Sequence, residues 1–409
     1  GLGGTERFPK LVEPATALQF MLTGKTINAK KAKQIGLLRD AVPDRHLDAA
    51  AVAAAKTGKK KKDRGFIDGV KHTLEMSSPG KRLIASRARK EAGKRFDKED
   101  YPAPFALIDL FEHETGSDDA FEAEARSFVD LSQTQTSKNL INLFLRREAL
   151  KREARRPEGH GISHVHVIGA GTMGADIAMW SAMNGFTVTL QDIDNKVIAK
   201  AMGRAHDWMD GKTDRSDDIR DPLDRLIPDP KGDGVRMADL VIEAGPEKAE
   251  IKQKIYDGLM GELKPGAIIA TNTSSIRLET LAEGLPPERT GHFVGLHFFN
   301  PVTKMPLVEI VSGETTSQET RDRALAFIEA IDKLPLPVKS APGFLVNRIL
   351  TPYLLKAVDL IDEGHKPEEV DAAAEAFGMQ QGPVEVALGD LGPVELGVHP
   401  RVELQEHRA

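Results

Sequence analysis

HVHVIGAGTMGADIAMWSAMNGFTVTLQDID, residues 164–194, decides the fold. It opens on the apolar run Val165 to Ile168 and passes through G-x-G-x-x-G at Gly169, Gly171 and Gly174. An Ala- and Met-rich stretch of helical character follows, and then a second apolar run, Thr187 to Gln191, that ends at Asp192. Strand, tight turn, helix and strand in that order open a doubly wound α/β domain. Each glycine has its own task. Gly169 allows the tight turn, Gly171 lets a pyrophosphate approach the backbone, and Gly174 lets helix and strand pack closely. The helix N-terminus offers free N–H groups and partial positive charge to phosphates. The Asp192 carboxylate can accept from both hydroxyls of a ribose and repels a 2′-phosphate, which favours NAD over NADP. The competing reading is a tight turn in an α/β domain that holds no cofactor.

Outward from this stretch the texture continues. ADLVIEA and GAIIATN are further apolar runs between helical stretches, and they imply a parallel sheet covered on both faces. From about Ser340 the pattern turns helical through PGFLVNRILTPYLLKAVDLIDEG, with Phe344, Asn347, Leu350 and Leu354 at helical spacing. Upstream, residues 1–55 carry short helix signals in ATALQFMLTG, AKKAKQIGLL and LDAAAVAAAK. A segment this short reads as the edge of something larger. Residues 56–162 are polar and helical. The run Lys59 to Lys62, followed by Asp63 and Arg64, reads as a solvated loop. Phe121, Ala125, Phe128 and Leu131 make one helical stripe, Leu140, Leu143 and Phe144 start another, and both are expected to be packing faces. REALKREARRPEGHG, residues 147–161, is charged and ends in Pro and Gly, as linkers do.

The composition narrows the function classes. The chain has 409 residues, enough for two or three domains, and 40% hydrophobic against 29% charged residues is an ordinary soluble balance. A net charge of −6 implies no general nucleic-acid surface, and 5% aromatics argue against stacking platforms for single strands. Cysteine is absent, which excludes disulfides, thiolate metal sites and a cysteine nucleophile, and suits a cytoplasmic setting. No apolar run approaches the ~20 residues of a membrane span, so none is expected, and the opening residues do not carry the basic and apolar pattern of a cleavable leader.

The chemistry concentrates in GLHFFNPVTKMPLVEIV. His297 stands in one apolar strand, followed by Asn300 and Pro301, and Glu309 stands in a second. Two strands joined by a Pro-containing loop can set imidazole and carboxylate side by side, which fixes the tautomer of the imidazole and prepares it as a base. Oxidation of an alcohol by NAD needs such a base for the hydroxyl proton. The competing reading is a core histidine and an unrelated glutamate. TNTSSI, residues 271–276, follows the strand GAIIA at the end where parallel sheets bind ligands. Ser274 there is either a contact for the substrate oxygen or part of a cap for the next helix.

GAGTMG, LQDID, NTSSI, LHFFNPV, MPLVEIV and APGFLVNRIL together resemble the L-3-hydroxyacyl-CoA dehydrogenase family, in family order over residues 163–365. The resemblance implies oxidation of an L-3-hydroxyacyl-CoA to the 3-oxoacyl-CoA with NAD, in fatty-acid β-oxidation. It makes His297 the catalytic base and Glu309 its orienting partner, and brings Ser274 and Asn347 to the reacting oxygen and thioester. For NAD it points to Gly169, Gly171, Thr172, Met173 and Gly174 in the loop, to Asp192, to Glu247 and Lys252 in GPEKAEIK, and to Ser274 and Asn300. It implies no metal. GGTERFPKLV and ALQFMLTGKTINAKKAKQIGLLRDAVP are similar to the C-terminal part of the crotonase (enoyl-CoA hydratase) family. The stretch from YPAPFALIDLF to LFLRREALKR resembles the segment that joins the two activities in the alpha-subunit family of bacterial fatty-acid oxidation complexes. By that resemblance the chain corresponds to an internal piece of a bifunctional hydratase–dehydrogenase. The carboxylates and oxyanion-hole N–H groups of the crotonase family lie upstream of the GGT segment, so hydratase activity is expected to be missing. The tail departs from the family pattern, with GPVE at 382–385 and again at 392–395, and Gly245 and Pro246 stand where relatives carry apolar residues.

The expected architecture is α/β, with a Rossmann NAD-binding domain at 163–339 and a shortened C-terminal helical domain at 340–409. A crotonase-fold C-terminal remnant at 1–55 and a helical linker region at 56–162 precede them. The partners that the resemblance raises are an acyl-CoA thioester substrate, a thiolase subunit and a homo-oligomer, with no nucleic acid. The alternative is a non-catalytic relative that keeps the cofactor fold; the set His297, Glu309, Ser274 and Asn347 opposes it and the altered tail favours it.

Overall fold

The computed structural model describes residues 3–58, 66–155, 159–210, 216–379 and 381–390. Two compact units divide between Leu145 and Arg146. The Lys59–Lys62 run with Asp63 and Arg64, and the second GPVE, lie outside the described residues. Among the described residues, no helix is long and apolar enough to cross a membrane.

The first unit is helical. Helices Pro14–Thr23, Ser78–Ala92 and Pro102–His113 gather around Leu18, Ala85, Ile108 and Phe111, each at most 1% exposed. The GGTER segment is bound into the same unit. Glu124 accepts from the N–H groups of Gly3 (3.0 Å) and Thr5 (3.3 Å), and Glu6 accepts from the N–H of Gly116 (2.7 Å). A boundary at residue 55 therefore falls inside one folded body. A short helical segment cannot bury its own apolar side chains, and here residues 78–113 supply the missing core. Two further expectations change. Phe121 and Phe128 are 50% and 59% exposed, and Leu140, Leu143 and Phe144 are likewise exposed, so those stripes are not covered faces within this unit. The helix Gln135–Ala154 runs through the first half of the charged stretch that reads as a linker.

The second unit is built on one eight-stranded sheet. Its strands are β1 (His164–Ile168), β2 (Thr187–Gln191), β3 (Leu226–Pro228), β4 (Leu240–Glu243), β5 (Ile268–Thr271), β6 (Phe293–Phe298), β7 (Leu307–Ser312) and β8 (Leu334–Lys339). The order is β3-β2-β1-β4-β5-β6-β7-β8, and every neighbouring pair is parallel except β6 with β7. The first six follow the dinucleotide-binding order, whose switch point lies between β1 and β4. Alternation along each strand assigns the faces. Val165, Val167, Val188, Leu190, Leu296, Val308 and Ile310 enter one core, with residues of helices Thr172–Met183, Asn195–Asp210 and Gln318–Ala330. Val241, Ile269, Phe293 and Val311 enter the other, with Tyr256, Leu278 and Phe344. His297 and Glu309 alternate with the first set and so face the side of the second.

After β8 the chain makes a turn at Ala341–Phe344 and enters the helix Val346–Asp362, followed by helices Pro367–Phe377 and Pro383–Asp390. The first GPVE thus opens a helix. Phe344 is not on the helix that its spacing predicts. It sits before that helix, with φ +46°, buried at 3% exposure. An aromatic residue in the left-handed region is uncommon and persists where surrounding structure holds it.

Candidate active site

The glycine loop joins β1 to the helix Thr172–Met183 at the switch point. Gly169 has φ +98°, and a Cβ there would lie 2.7 Å from the Ala244 carbonyl oxygen. A Cβ on Gly174 would lie 1.8 Å from the Gly169 carbonyl oxygen, so only glycine lets this helix start so close to the strand. At Gly171 the outcome is opposite, because an added Cβ meets nothing within 4 Å. Gly171 is also the N-cap and gives the helix no side-chain cap, which leaves the helix N-terminus facing open space. Asp192, half-buried at the end of β2, accepts from the N–H of Ala170 (2.7 Å) and that of Asp194 (3.0 Å). Its carboxylate is thereby fixed beside the loop with lone pairs to spare for hydroxyl donors. These residues fit a dinucleotide. Ile193, which the sequence reading passed over, is fully exposed beside Asp192 and offers an apolar surface there.

β6 and β7 set His297 opposite Glu309 in register. His297 Nδ1 lies 2.8 Å from Glu309 Oε2. A carboxylate only accepts, so Nδ1 carries the hydrogen and Nε2 keeps its lone pair for a proton from elsewhere. The other carboxylate oxygen, Oε1, accepts from the N–H groups of Leu345 (3.0 Å) and Val346 (2.9 Å), where the helix Val346–Asp362 begins. Burial pushes the Glu309 carboxyl up, but the hydrogen bonds from His297, Val346 and Leu345 outweigh it and hold the group below its ordinary range. Phe299 and Phe344 pack on the imidazole, with ring centroids at 4.6 and 5.6 Å. Asn347 is half-buried in the first turn of the same helix, and Asn300 is exposed just past β6.

The third cluster lies where β4 and β5 end. Glu243, fully buried, receives Lys252 Nζ on both oxygens (2.9 and 3.0 Å), with Tyr256 Oη (3.0 Å) and Thr271 Oγ1 (2.8 Å). Sequence reasoning missed Glu243. Its signal was an acid closing the apolar run LVIE with a lysine nine residues on, because a charge inside a sheet core needs a partner. Lys252 is only 1% exposed, and besides Glu243 it faces Glu247 at 3.5 Å. Glu247 Oε1 accepts from Thr273 Oγ1 (2.6 Å), the N–H groups of Ser274 (2.9 Å) and Ser275 (3.0 Å), and Ser275 Oγ (3.0 Å). Burial raises the Glu247 pKa, while Thr273, Lys252 and these N–H groups lower it below its ordinary value. Glu247 therefore shapes the TNTSSI loop and leaves Ser274 exposed. The helix-cap reading of this loop does not hold. The next helix, Leu278–Ala282, has Arg277 at its N-cap, and the hydroxyl of the distant Ser340 accepts from Leu278 N–H (2.9 Å). Asn272 Oδ1 accepts from Phe298 N–H (2.9 Å) and ties the loop to the end of β6 next to His297.

Residues 164–341 match the family model described as 3-hydroxyacyl-CoA dehydrogenase, NAD binding domain, and residues 343–403 match its C-terminal domain. The chain is 35% identical over 396 residues to the fatty acid oxidation complex subunit alpha of Shewanella halifaxensis, covering 94% of this chain and 55% of that protein. With the namesake of Pseudomonas entomophila it shares 31% over 422 residues, 99% of this chain and 58% of the relative. The chain thus spans about half the length of the curated relatives it matches. Among solved structures it is similar to the (S)-3-hydroxybutyryl-CoA dehydrogenase of Ralstonia eutropha, at 35% identity and a TM-score of 0.53 over 56% of this chain and 82% of that one. It is also similar to a 3-hydroxybutyryl-CoA dehydrogenase of Escherichia coli, at 34% identity and a TM-score of 0.54 over 61% and 54% of the two chains.

Proposed function

The chain belongs to the 3-hydroxyacyl-CoA dehydrogenase family, whose NAD-binding domain it carries, and from that premise we propose that it interconverts an L-3-hydroxyacyl-CoA and the 3-oxoacyl-CoA with His297 as the base. NAD, held at the glycine loop and Asp192, would supply the acceptor for the hydride that leaves C3 of the hydroxyacyl chain. The residues of this chain do the rest. His297 Nε2 removes the C3 hydroxyl proton as the carbonyl forms, and returns it in the reverse direction. Glu309 holds the Nδ1 hydrogen in place and stabilises the imidazolium. The helix N-terminus on Glu309 Oε1 keeps that carboxylate charged and aimed. Ser274 and Asn347 are assigned to the reacting oxygen and the thioester. The glycine loop, Met173, Asp192, Ser274 and Asn300 are assigned to the cofactor. Glu247 sets the loop that carries Ser274, and Lys252 holds Glu247.

The observation that carries this reading is the 2.8 Å contact between His297 Nδ1 and Glu309 Oε2, in a domain of this family. Names of the relatives support a place in fatty-acid β-oxidation, and a thiolase subunit and self-association remain the partners that follow from it. Hydration of an enoyl thioester is not assigned to this polypeptide. The test is NADH consumption with acetoacetyl-CoA, followed by absorbance. The protein is expected to turn over, and His297→Ala is expected to abolish turnover while NADH binding persists. Turnover by His297→Ala at the wild-type rate refutes the assignment, and an inactive wild type that still binds NADH supports the non-catalytic alternative.

A further inference from the structure

Lys333 is a buried cation that the reaction scheme leaves unused. It stands one residue before β8 and is 3% exposed. Its ammonium donates to the carbonyl oxygens of Val302 and Met305 (2.8 Å to the latter). It also lies over the Trp180 ring, 4.1 Å from the centroid. Burial brings its pKa down to about 8, which leaves it mostly protonated near neutrality.

The surroundings say what this arrangement achieves. Residues 299–306 connect β6, which carries His297, to β7, which carries Glu309, and Asn300 lies on this connection. The loop's own backbone bonds use only the Pro301 carbonyl, which accepts from the N–H groups of Lys304 and Met305 (both 3.0 Å). Lys333 takes the next carbonyls along the loop. Trp180 lies on the helix that starts at the glycine loop, and its indole N–H donates to the Ile331 carbonyl (2.7 Å). Asp332, between Ile331 and Lys333, has φ +55°, so the chain bends there in a left-handed conformation. One cation thus joins the cofactor-phosphate helix to the loop that bears Asn300. An apolar side chain would fill the same volume without the penalty of desolvating a charge. What a charge adds here is directional hold on two loop carbonyls, with a cation–π seat beneath it.

We propose that Lys333 is a positioning residue for the cofactor, fixing the loop 299–306 on Trp180 so that Asn300 meets NAD. The proposal rests on the assignment of Asn300 to the cofactor made above. The register of His297 against Glu309 is set by the strand pair and does not depend on Lys333.

The test is a double-mutant cycle on NADH affinity, measured by titration calorimetry, with kcat at saturating NADH measured alongside. Lys333→Met is expected to weaken NADH binding roughly tenfold, the scale of a lost charged hydrogen bond, with kcat within about twofold of wild type. Asn300→Ala is expected to weaken NADH binding, and the double variant to bind no worse than Asn300→Ala alone. Should Lys333→Met not fold, Lys333→Gln, which keeps polar donors on a shorter neutral side chain, takes its place in the cycle. Wild-type affinity in the Lys333 variant, or effects that multiply in the double variant, overturns the proposal. Wild-type affinity in Asn300→Ala is a separate result and refutes the assignment of Asn300 itself.

Discussion

Replacing Glu309 by glutamine tests the proposed base directly. The carboxylate meets three donors, His297 Nδ1–H on Oε2 and the N–H groups of Leu345 and Val346 on Oε1. A carboxylate can serve all three because both its oxygens accept. An amide cannot. With its oxygen toward the helix, its NH2 faces Nδ1, which must then accept, and the imidazole proton moves to Nε2, the nitrogen that has to take the substrate proton. With its oxygen toward His297, its NH2 faces two N–H groups. Hydrogen bonds to charged groups contribute about 1.5–3 kcal/mol, which corresponds to roughly ten- to a hundredfold in kcat. The unsatisfied donors also lower stability by about 1–3 kcal/mol. We expect Glu309→Gln to reduce acetoacetyl-CoA by NADH at a kcat lowered by that factor, with NADH affinity within about twofold of wild type, because the Glu309 carboxylate hydrogen-bonds His297 and the start of the helix. A folded variant with a wild-type kcat refutes the reasoning, since a neutral amide would then orient the base as well as a carboxylate does.

Other sites give independent expectations. Gly174→Ala forces a Cβ to 1.8 Å from the Gly169 carbonyl, and NADH titration should show binding lost or strongly weakened, with a stability loss of about 1–3 kcal/mol in denaturant melts. Lys252→Met leaves Glu243 buried without its cation and should lower stability by about 3–5 kcal/mol, whereas a surface role for Lys252 would give almost no change. His164 and His166 share Thr189 Oγ1 at 2.9 and 2.8 Å, and burial lowers both their pKa values. The unfolded chain then binds more protons, so stability is full above about pH 6.5 and falls as pH drops below it, by at most about 1.4 kcal/mol per pH unit for each histidine. Thermal melts across that range check the sign, and a melting temperature that rises on acidification contradicts it.

What the sequence made legible was local. The glycine loop, its flanking strands and Asp192 lie within thirty-one consecutive residues, and each has a backbone requirement that only certain residue types meet. His297 and Glu309 were legible because a loop between paired strands restricts which residues can face each other. Contacts between distant segments were not legible. Glu124 reaches Thr5 across 119 residues, and no periodicity in either segment announces it. Phe344 was misplaced because helical spacing cannot reveal a left-handed residue ahead of the helix. Lys252 has the residue type of a ligand contact, and its burial against Glu243 could not be read from the spacing.

The altered tail is the feature that most favours a non-catalytic reading, and the geometry of Glu309 bears on it. Among the described residues only the start of the helix Val346–Asp362 meets the carboxylate, and it does so through backbone N–H groups, which every residue except proline supplies. The partial positive charge that a helix terminus contributes is likewise confined to its first turn. The turn is held from the sheet side as well, because Phe344 packs both into the core and on His297. The helical segment therefore supports the proposed base at its beginning and not at its end. Changes beyond Gly378 lie outside that first turn and leave the hydrogen bonds of the His297–Glu309 pair as they are. Such changes should appear in KM for the acyl-CoA and not in the pH dependence of kcat. A kcat profile shifted by changes confined to residues after Gly378 contradicts this division.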